Sequence, residues 1–167
     1  MSANYTYRKA VPADQAALKA LGISSYSVYA AQLETEHWEK LSAFLHDEKK
    51  LEALMQISTC FVCVFNNDLV GMAYLIPRGN PNELFEAGWT YIRMVGVSPD
   101  HKGNGIAQSL TRLCLEQAKA SGEQTVALHT SEYMDAARHI YEKNGFRLLK
   151  EIPPRFGKRY WLYTLDL

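Results

Sequence analysis

The chain has no apolar run near the roughly 20 residues that a helix needs to span a bilayer. Its opening, MSANYTYRKAVPAD, lacks the apolar stretch of a secretory leader. An excess of one charge is missing too: 18 Lys and Arg balance 18 Asp and Glu. That balance argues against a broad nucleic-acid surface, which needs a basic face. These absences lead us to expect a cytoplasmic protein with neither membrane nor nucleic acid as partner. Cysteine is scarce, and three residues are too few, and odd in number, for a disulfide framework. Cys60 and Cys63 sit three apart in CFVCVF, where strand alternation points them to opposite faces, so they cannot share a metal. Cys114 falls on the apolar stripe of a helix, and all three read as packing residues. His37, His46, His101 and His139 read as surface or helix-face residues without a metal-ligand cluster, so no metal is expected. No repeat, low-complexity tract or linker divides residues 1–167, which read as one domain. Two phosphate-binding signatures are absent as well. There is no GxxxxGK[ST] run, and a dinucleotide GxGxxG would need a third glycine where Gln108 stands.

What is present is ordinary globular material, 47% hydrophobic and 22% charged in 167 residues, enough to bury a substantial core. NYTYRKA alternates like a first strand, and Pro12-Ala13-Asp14 opens a helix expected to run to about residue 30. A second helical stretch spans Glu34 to Ile57, with a break expected near His46-Asp47. Two strands in CFVCVFNNDLVGMAYLI flank Asn66-Asn67-Asp68, the residues of a tight hairpin. Their lack of alternation predicts cover on both faces of the sheet. PRGNPNELFEAG reads as loop, WTYIRMVGV as a central strand, and the segment after HKGNG as a helix ending near Ser121-Gly122. TVALHT is a strand, MDAARHIYEKNG a helix, and FRLLKEI and KRYWLYTLDL the last strands. The order predicts a mixed α/β fold around a largely antiparallel sheet.

The most specific local feature is HKGNGIAQSL, residues 101–110. A strand, a glycine-rich turn and a helix start make an anion site, because unpaired amides and the helix dipole converge there. Gly103 and Gly105 permit unusual backbone angles and close approach of phosphate oxygens, and Lys102 adds positive charge. A plain surface turn is the alternative reading of any single GxG.

Lys102-Gly103-Asn104-Gly105-Ile106-Ala107 resembles the pyrophosphate motif [QR]-x-x-G-x-[GA] of the GNAT superfamily of N-acetyltransferases, with lysine replacing the usual first residue. AARHIYEKNGF, residues 136–146, resembles that family's A-x-x-x-Y-x-K-x-G-F segment through Ala137, Tyr141, Lys143, Gly145 and Phe146. VSPDHKGNGIA looks like its strand-end V-x-P followed by the cradle. The likeness extends over the chain in element order, with its specific motifs between residues 89 and 146.

The resemblance implies a GNAT-like fold whose fourth strand (β4, around Trp89 to Val97) and fifth (β5, Thr125 to Thr130) splay around the cofactor. It implies acetyl-CoA as co-substrate and no metal. Backbone groups of Val95 and Val97 would pair with the pantetheine arm, and amides from Lys102 through Ala107, including Asn104 and Ile106, would hold the pyrophosphate. Many members carry asparagine where this chain has Met134. The implied activity is transfer of an acetyl group to an amine of a small molecule or peptide, by direct attack with both substrates bound. Amides on a bulged β4 would serve the oxyanion, and Tyr141 would protonate the departing thiolate. Glu86 and His129 are the candidate bases, and direct attack by the neutral fraction of the amine is the third option. The acceptor would enter beside SSYSVYAAQLETEHW and the loop before β4. Tyr26 and Tyr29 read as helix core, with a pocket wall as the alternative, and Arg93 could bind a carboxylate if it points into the cleft. A non-catalytic acyl-CoA-binding module and an O-acetyltransferase are the rival functions. Oligomeric state, homodimer included, is left open.

Overall fold

The computed structural model describes residues 4–167, and the elements follow the expected order. They are β1 (Thr6–Lys9), α1 (Gln15–Tyr26), α2 (Thr35–His46), α3 (Glu48–Ile57), β2 (Thr59–Phe65), β3 (Asp68–Ile76), β4 (Thr90–Val97), α4 (Ile106–Ala120), β5 (Thr125–Ser131), α5 (Asp135–Lys143), β6 (Arg147–Arg155) and β7 (Lys158–Asp166). No helix among the described residues is long and apolar enough to cross a membrane. The hairpin between β2 and β3 turns on Asn66 and Asn67, whose φ values of 50° and 67° suit a two-residue turn. The break expected near His46-Asp47 occurs because Asp47 is extended and its carboxylate accepts from the amides of Lys49 and Lys50 at 3.1 Å each. Capping restarts the helix as α3.

Two boundaries differ from the sequence reading. The first helix ends at Tyr26 and tightens into a 3-10 turn over Ser27–Tyr29. Ser24, Ser25 and Ser27 each bond back to a carbonyl three residues earlier, and such local bonds compete with the α-helical ladder. Strand β6 runs on through Pro153 and Pro154 to Arg155. It can do so because β6 is an edge strand, where a missing N–H leaves no ladder partner unsatisfied.

One seven-stranded sheet runs in the order β1-β2-β3-β4-β5-β7-β6. Every neighbouring pair is antiparallel except β4 and β5. That parallel ladder holds only at Thr90↔Val126 and Tyr91↔Ala127, after which the strands part. On the other edge of β4 the register slips: Met72 faces Gly96, but Tyr74 faces Arg93. Ala73 therefore opposes both Met94 and Val95, a β-bulge, and Met94 takes a φ of 52°, uncommon for a side-chain-bearing residue.

Helices cover both faces. Leu18, Leu21 and Leu54 from α1 and α3 pack with Cys60, Val62, Met72 and Tyr74. Ile106, Leu110 and Cys114 of α4 pack on the opposite face with Phe61, Cys63 and Leu75. Cys60 and Cys63 thus lie on opposite faces, and all three cysteines are free and buried. Two strand glycines set how closely the helices approach. A Cβ on Gly96 would lie 2.6 Å from Ser25 Oγ of α1, and one on Gly71 would lie 2.5 Å from Ile106 Cγ2 of α4.

Gly71→Ala forces α4 away from β3 at its first residue. Overpacking of this kind costs about 1–3 kcal/mol, which denaturant unfolding will record. An unchanged midpoint would mean that α4 is not seated on Gly71.

Candidate active site

The turn before α4 leaves a run of backbone amides open. After the 3-10 turn Pro99–His101, Gly103 and Gly105 take φ values of 81° and 74°, and Gly105 is the N-cap of the 15-residue α4. These glycines serve backbone conformation and not packing, since a Cβ at either would meet nothing within 4 Å. The backbone N–H groups of residues 102–108 donate to no acceptor among the described residues. The side chain of Asn104 braces the loop, donating to the carbonyls of His101 at 3.0 Å and Lys102 at 3.3 Å. Free amides at the start of a long helix attract negative charge.

From this turn a cavity of about 470 Å³ runs between β4 and α5, lined by Val95, Val97, Lys102, Gly103, Gly105, Ile106 and Ala107 and reaching Tyr141. Among the predicted cradle residues only Asn104 is missing from the lining, its side chain being turned onto the loop. A second cavity of about 180 Å³ lies on the other side of Tyr141, with Arg93, His129, Tyr133, Arg155, Phe156 and Tyr160 in its wall. Tyr26, Tyr29, Val95, Ala137 and Tyr141 border both. The bulge at Met94 and Val95 therefore lies where the two cavities meet.

Tyr141 is buried at this junction, 7% exposed. Burial above all, with smaller contributions from Cys114 and Tyr29, pushes its pKa up, so the phenol keeps its proton at physiological pH. Burial also lowers the pKa of Arg93, with Tyr91 and Tyr26 opposing and Arg155 adding to the fall. His129 opens to the second cavity yet is otherwise enclosed by protein, stacked on Phe85 at 6.0 Å with the tilted ring of Tyr160 at 5.5 Å. Desolvation first, then the charges of Arg155 and Arg93, depress its pKa to about 3.

Several expectations are refined here. His129 faces the second cavity, where desolvation and the two arginine charges weaken it as a base. Glu86 is exposed and borders neither cavity; its carbonyl accepts from Trp89 N–H at 3.1 Å within a turn. Tyr26 and Tyr29 are cavity walls and not simply helix core, while His101 and His139 line the longer cavity. Met134 borders the smaller one. Sequence reading missed Arg155, Phe156 and Tyr160, which come from β6, β7 and their turn. No spacing rule links that hairpin to β4, more than fifty residues earlier. Among the described residues no group of three or more His, Cys, Asp or Glu could hold a metal ion.

The sequence model of the Acetyltransferase (GNAT) family matches residues 26–146. The chain belongs to the GNAT family. Its curated relatives include the N-acetyltransferase family 8 member 3 of Rattus norvegicus, 28% identical over 127 residues, covering 73% of this chain and 55% of that protein. The N-acetylaspartate synthetase of Xenopus tropicalis is 30% identical over 130 residues, covering 76% of this chain and 44% of that one. The chain thus spans about half the length of these relatives. The GNAT fold itself is matched end to end. The PaiA N-acetyltransferase from Thermoplasma acidophilum, solved in complex with coenzyme A, superposes with a TM-score of 0.79 at 15% identity. That match covers 98% of this chain and 99% of that one. At such identity the likeness is one of fold.

The half-buried histidine in this GNAT chain sets a pH dependence. Folded, His129 protonates only near pH 3, whereas the unfolded chain takes up the proton near its ordinary value of 6.5. The unfolded state binds more protons between those values, so this group makes stability fall as pH drops below about 6.5. His129→Gln should shrink the stability difference between about pH 7 and about pH 5 by about 2 kcal/mol, measured by denaturant unfolding. An unchanged difference would mean that the imidazole titrates normally in the folded protein.

Proposed function

We propose that this chain is an acetyl-CoA-dependent N-acetyltransferase, a single domain acting in the cytoplasm on an amine of a small molecule or peptide. The observation that carries this reading is the meeting of two cavities at Tyr141 beside the β4 bulge. One cavity begins at an anion cradle and suits the co-substrate; the other suits the acceptor.

The cradle fits a diphosphate. Seven consecutive amides, from Lys102 through Gln108, are unpaired, Lys102 is exposed beside them, and the left-handed glycines bring no side chain into the way. Asn104 contributes its amide and holds the loop in shape. Val95 and Val97 offer backbone groups where β4 has left β5, and the bulge supplies amide donors for a carbonyl oxygen gaining charge. Acetyl-CoA, when bound, brings an activated acyl thioester. Tyr141 holds the proton that a departing thiolate needs, and its raised pKa keeps that proton in place beforehand.

The acceptor amine must be neutral to attack. Neither Glu86 nor His129 serves as its base, but Arg93 and Arg155 place positive charge in the acceptor cavity. Nearby like charge lowers the pKa of a bound ammonium, raising the neutral fraction and leaving water to take the proton. The weak base is also what favours the rival reading, a non-catalytic acyl-CoA-binding module. Turnover of acetyl-CoA with a broad panel of primary amines separates the two, since the module would bind and never transfer. In the enzyme, Tyr141→Phe should keep co-substrate affinity and lose activity within the ~10²–10⁴-fold range of a positioned acid. An acyl donor with a more acidic thiol should restore most of that rate, and an equal defect with both donors removes Tyr141 as the acid.

Gly105→Val tests the cradle. A branched residue at that left-handed position costs about 1–2 kcal/mol of local strain and crowds the amides. Calorimetry should show a large loss of affinity for CoA and little change for dephosphorylated pantetheine. Equal losses for both would mean that the turn does not hold phosphate.

A further inference from the structure

The smaller cavity contains positive charge that the protein does not neutralise. Arg93 comes from β4 just before the bulge and Arg155 from the end of β6, and both border the cavity. Each guanidinium lies over an aromatic ring, Arg93 5.8 Å from the centroid of Phe44 and Arg155 5.9 Å from that of Tyr160. Among the described residues, neither takes part in a salt bridge. The one carboxylate among the charges acting on Arg93 is Glu83, an exposed loop residue that makes no ion pair with it.

Two further atoms are unsatisfied in the same place. Arg155 Nε and His129 Nδ1 are buried without a hydrogen-bond partner. Each arginine's charge is felt by His129, so all three side chains share one electrostatic environment. Half-buried guanidiniums without a counter-ion repel one another and are costly, whereas a bound carboxylate would offset one of the two charges and could accept from both planar forks, leaving net positive charge near the amine. The rest of the wall is largely aromatic: Tyr26, Tyr29, Phe44, Tyr133, Phe156 and Tyr160.

We propose that this cavity is a carboxylate pocket: the acceptor is a small amino acid-like molecule whose carboxylate pairs with Arg93 and Arg155 and whose apolar body packs on the aromatic wall, its amine facing Tyr141. The inference rests on the acetyltransferase reading for the amine, but not for the carboxylate. The imidazole of His129, neutral and unpartnered at Nδ1, adds a polar contact without bringing a compensating negative charge.

Calorimetry on the CoA-saturated protein tests the pocket without turnover. 3-Phenylpropionate should bind at least about tenfold more tightly than 3-phenylpropionamide, the margin expected of a charge-assisted contact. Arg93→Gln and Arg155→Gln should each reduce that preference, and Arg155→Lys should keep part of it, with CoA affinity and melting temperature as folding controls. Equal affinity for acid and amide, absence of binding by either, or a preference undiminished in both Gln variants overturns the proposal. The comparison of ligands in the unaltered protein decides the matter even if a variant fails to fold. Acetylation of L-phenylalanine against L-phenylalaninamide then separates the two readings. Transfer to both amines without preference for the acid sinks the pocket and leaves the enzyme. A carboxylate preference in binding with no acetylation of any amine sinks the enzyme and leaves the pocket.

Discussion

The site depends on β4 leaving β5. Two residue pairs hold the parallel ladder before the strands separate, and without that parting the sheet would be closed over its own centre. The bulge on the opposite edge of β4 is part of the same constraint. By inserting Met94 and Val95 opposite Ala73, it turns the strand and re-aims its backbone at the point where it is no longer paired. The strained φ of Met94 is tolerated because the neighbouring strand and α1 hold β4 on both sides of the bulge.

Close packing around β4 keeps this arrangement rigid. Gly96 lets α1 come within contact of the strand directly after the bulge, and Gly71 lets the first turn of α4 rest on β3. Ile106 is both that contact and the first residue of the helix whose free amides form the cradle. The core thus positions these open amides, and a shift of α4 by one methyl group would move the amides with it. At the far end, Gln108 and Asn144 exchange side-chain amide bonds at 2.9 and 3.0 Å, tying the start of α4 to the end of α5. That tie runs beside Tyr141 on the same helix.

The two cavities are electropositive by different physical means. In the larger one the charge is mainly dipolar, from backbone amides that any sequence could supply once the turn is formed, with exposed Lys102 added at the rim. Salt will screen the lysine more than the amides. In the smaller one the charge belongs to two guanidiniums held among aromatic rings, where screening is weaker and neutralisation by a ligand matters more. The same burial that makes those arginines unpaired also keeps His129 neutral and Tyr141 protonated.

Local chemistry was legible in the residues. The Asn-Asn hairpin, the Asp47 break, the glycine cradle and the helix carrying Tyr141 each rest on contacts within a few positions, where backbone preference and side-chain capping decide the outcome. The sequence by itself therefore determined the order of elements, the glycine turn before α4 and the family to which its motifs point. The tertiary structure alone decided what lines the smaller cavity. Arg155, Phe156 and Tyr160 reach the cavity because β7 inserts between β5 and β6, placing the last hairpin against β5 on the side away from β4. Glu86 and His129 are both candidate bases in the sequence, but their behaviour depends on solvent and on distant charge. Exposure leaves Glu86 in water, and desolvation beside two arginines lowers the pKa of His129. Burial and long-range pairing are properties of the assembled sheet, and no local pattern in the chain encodes them.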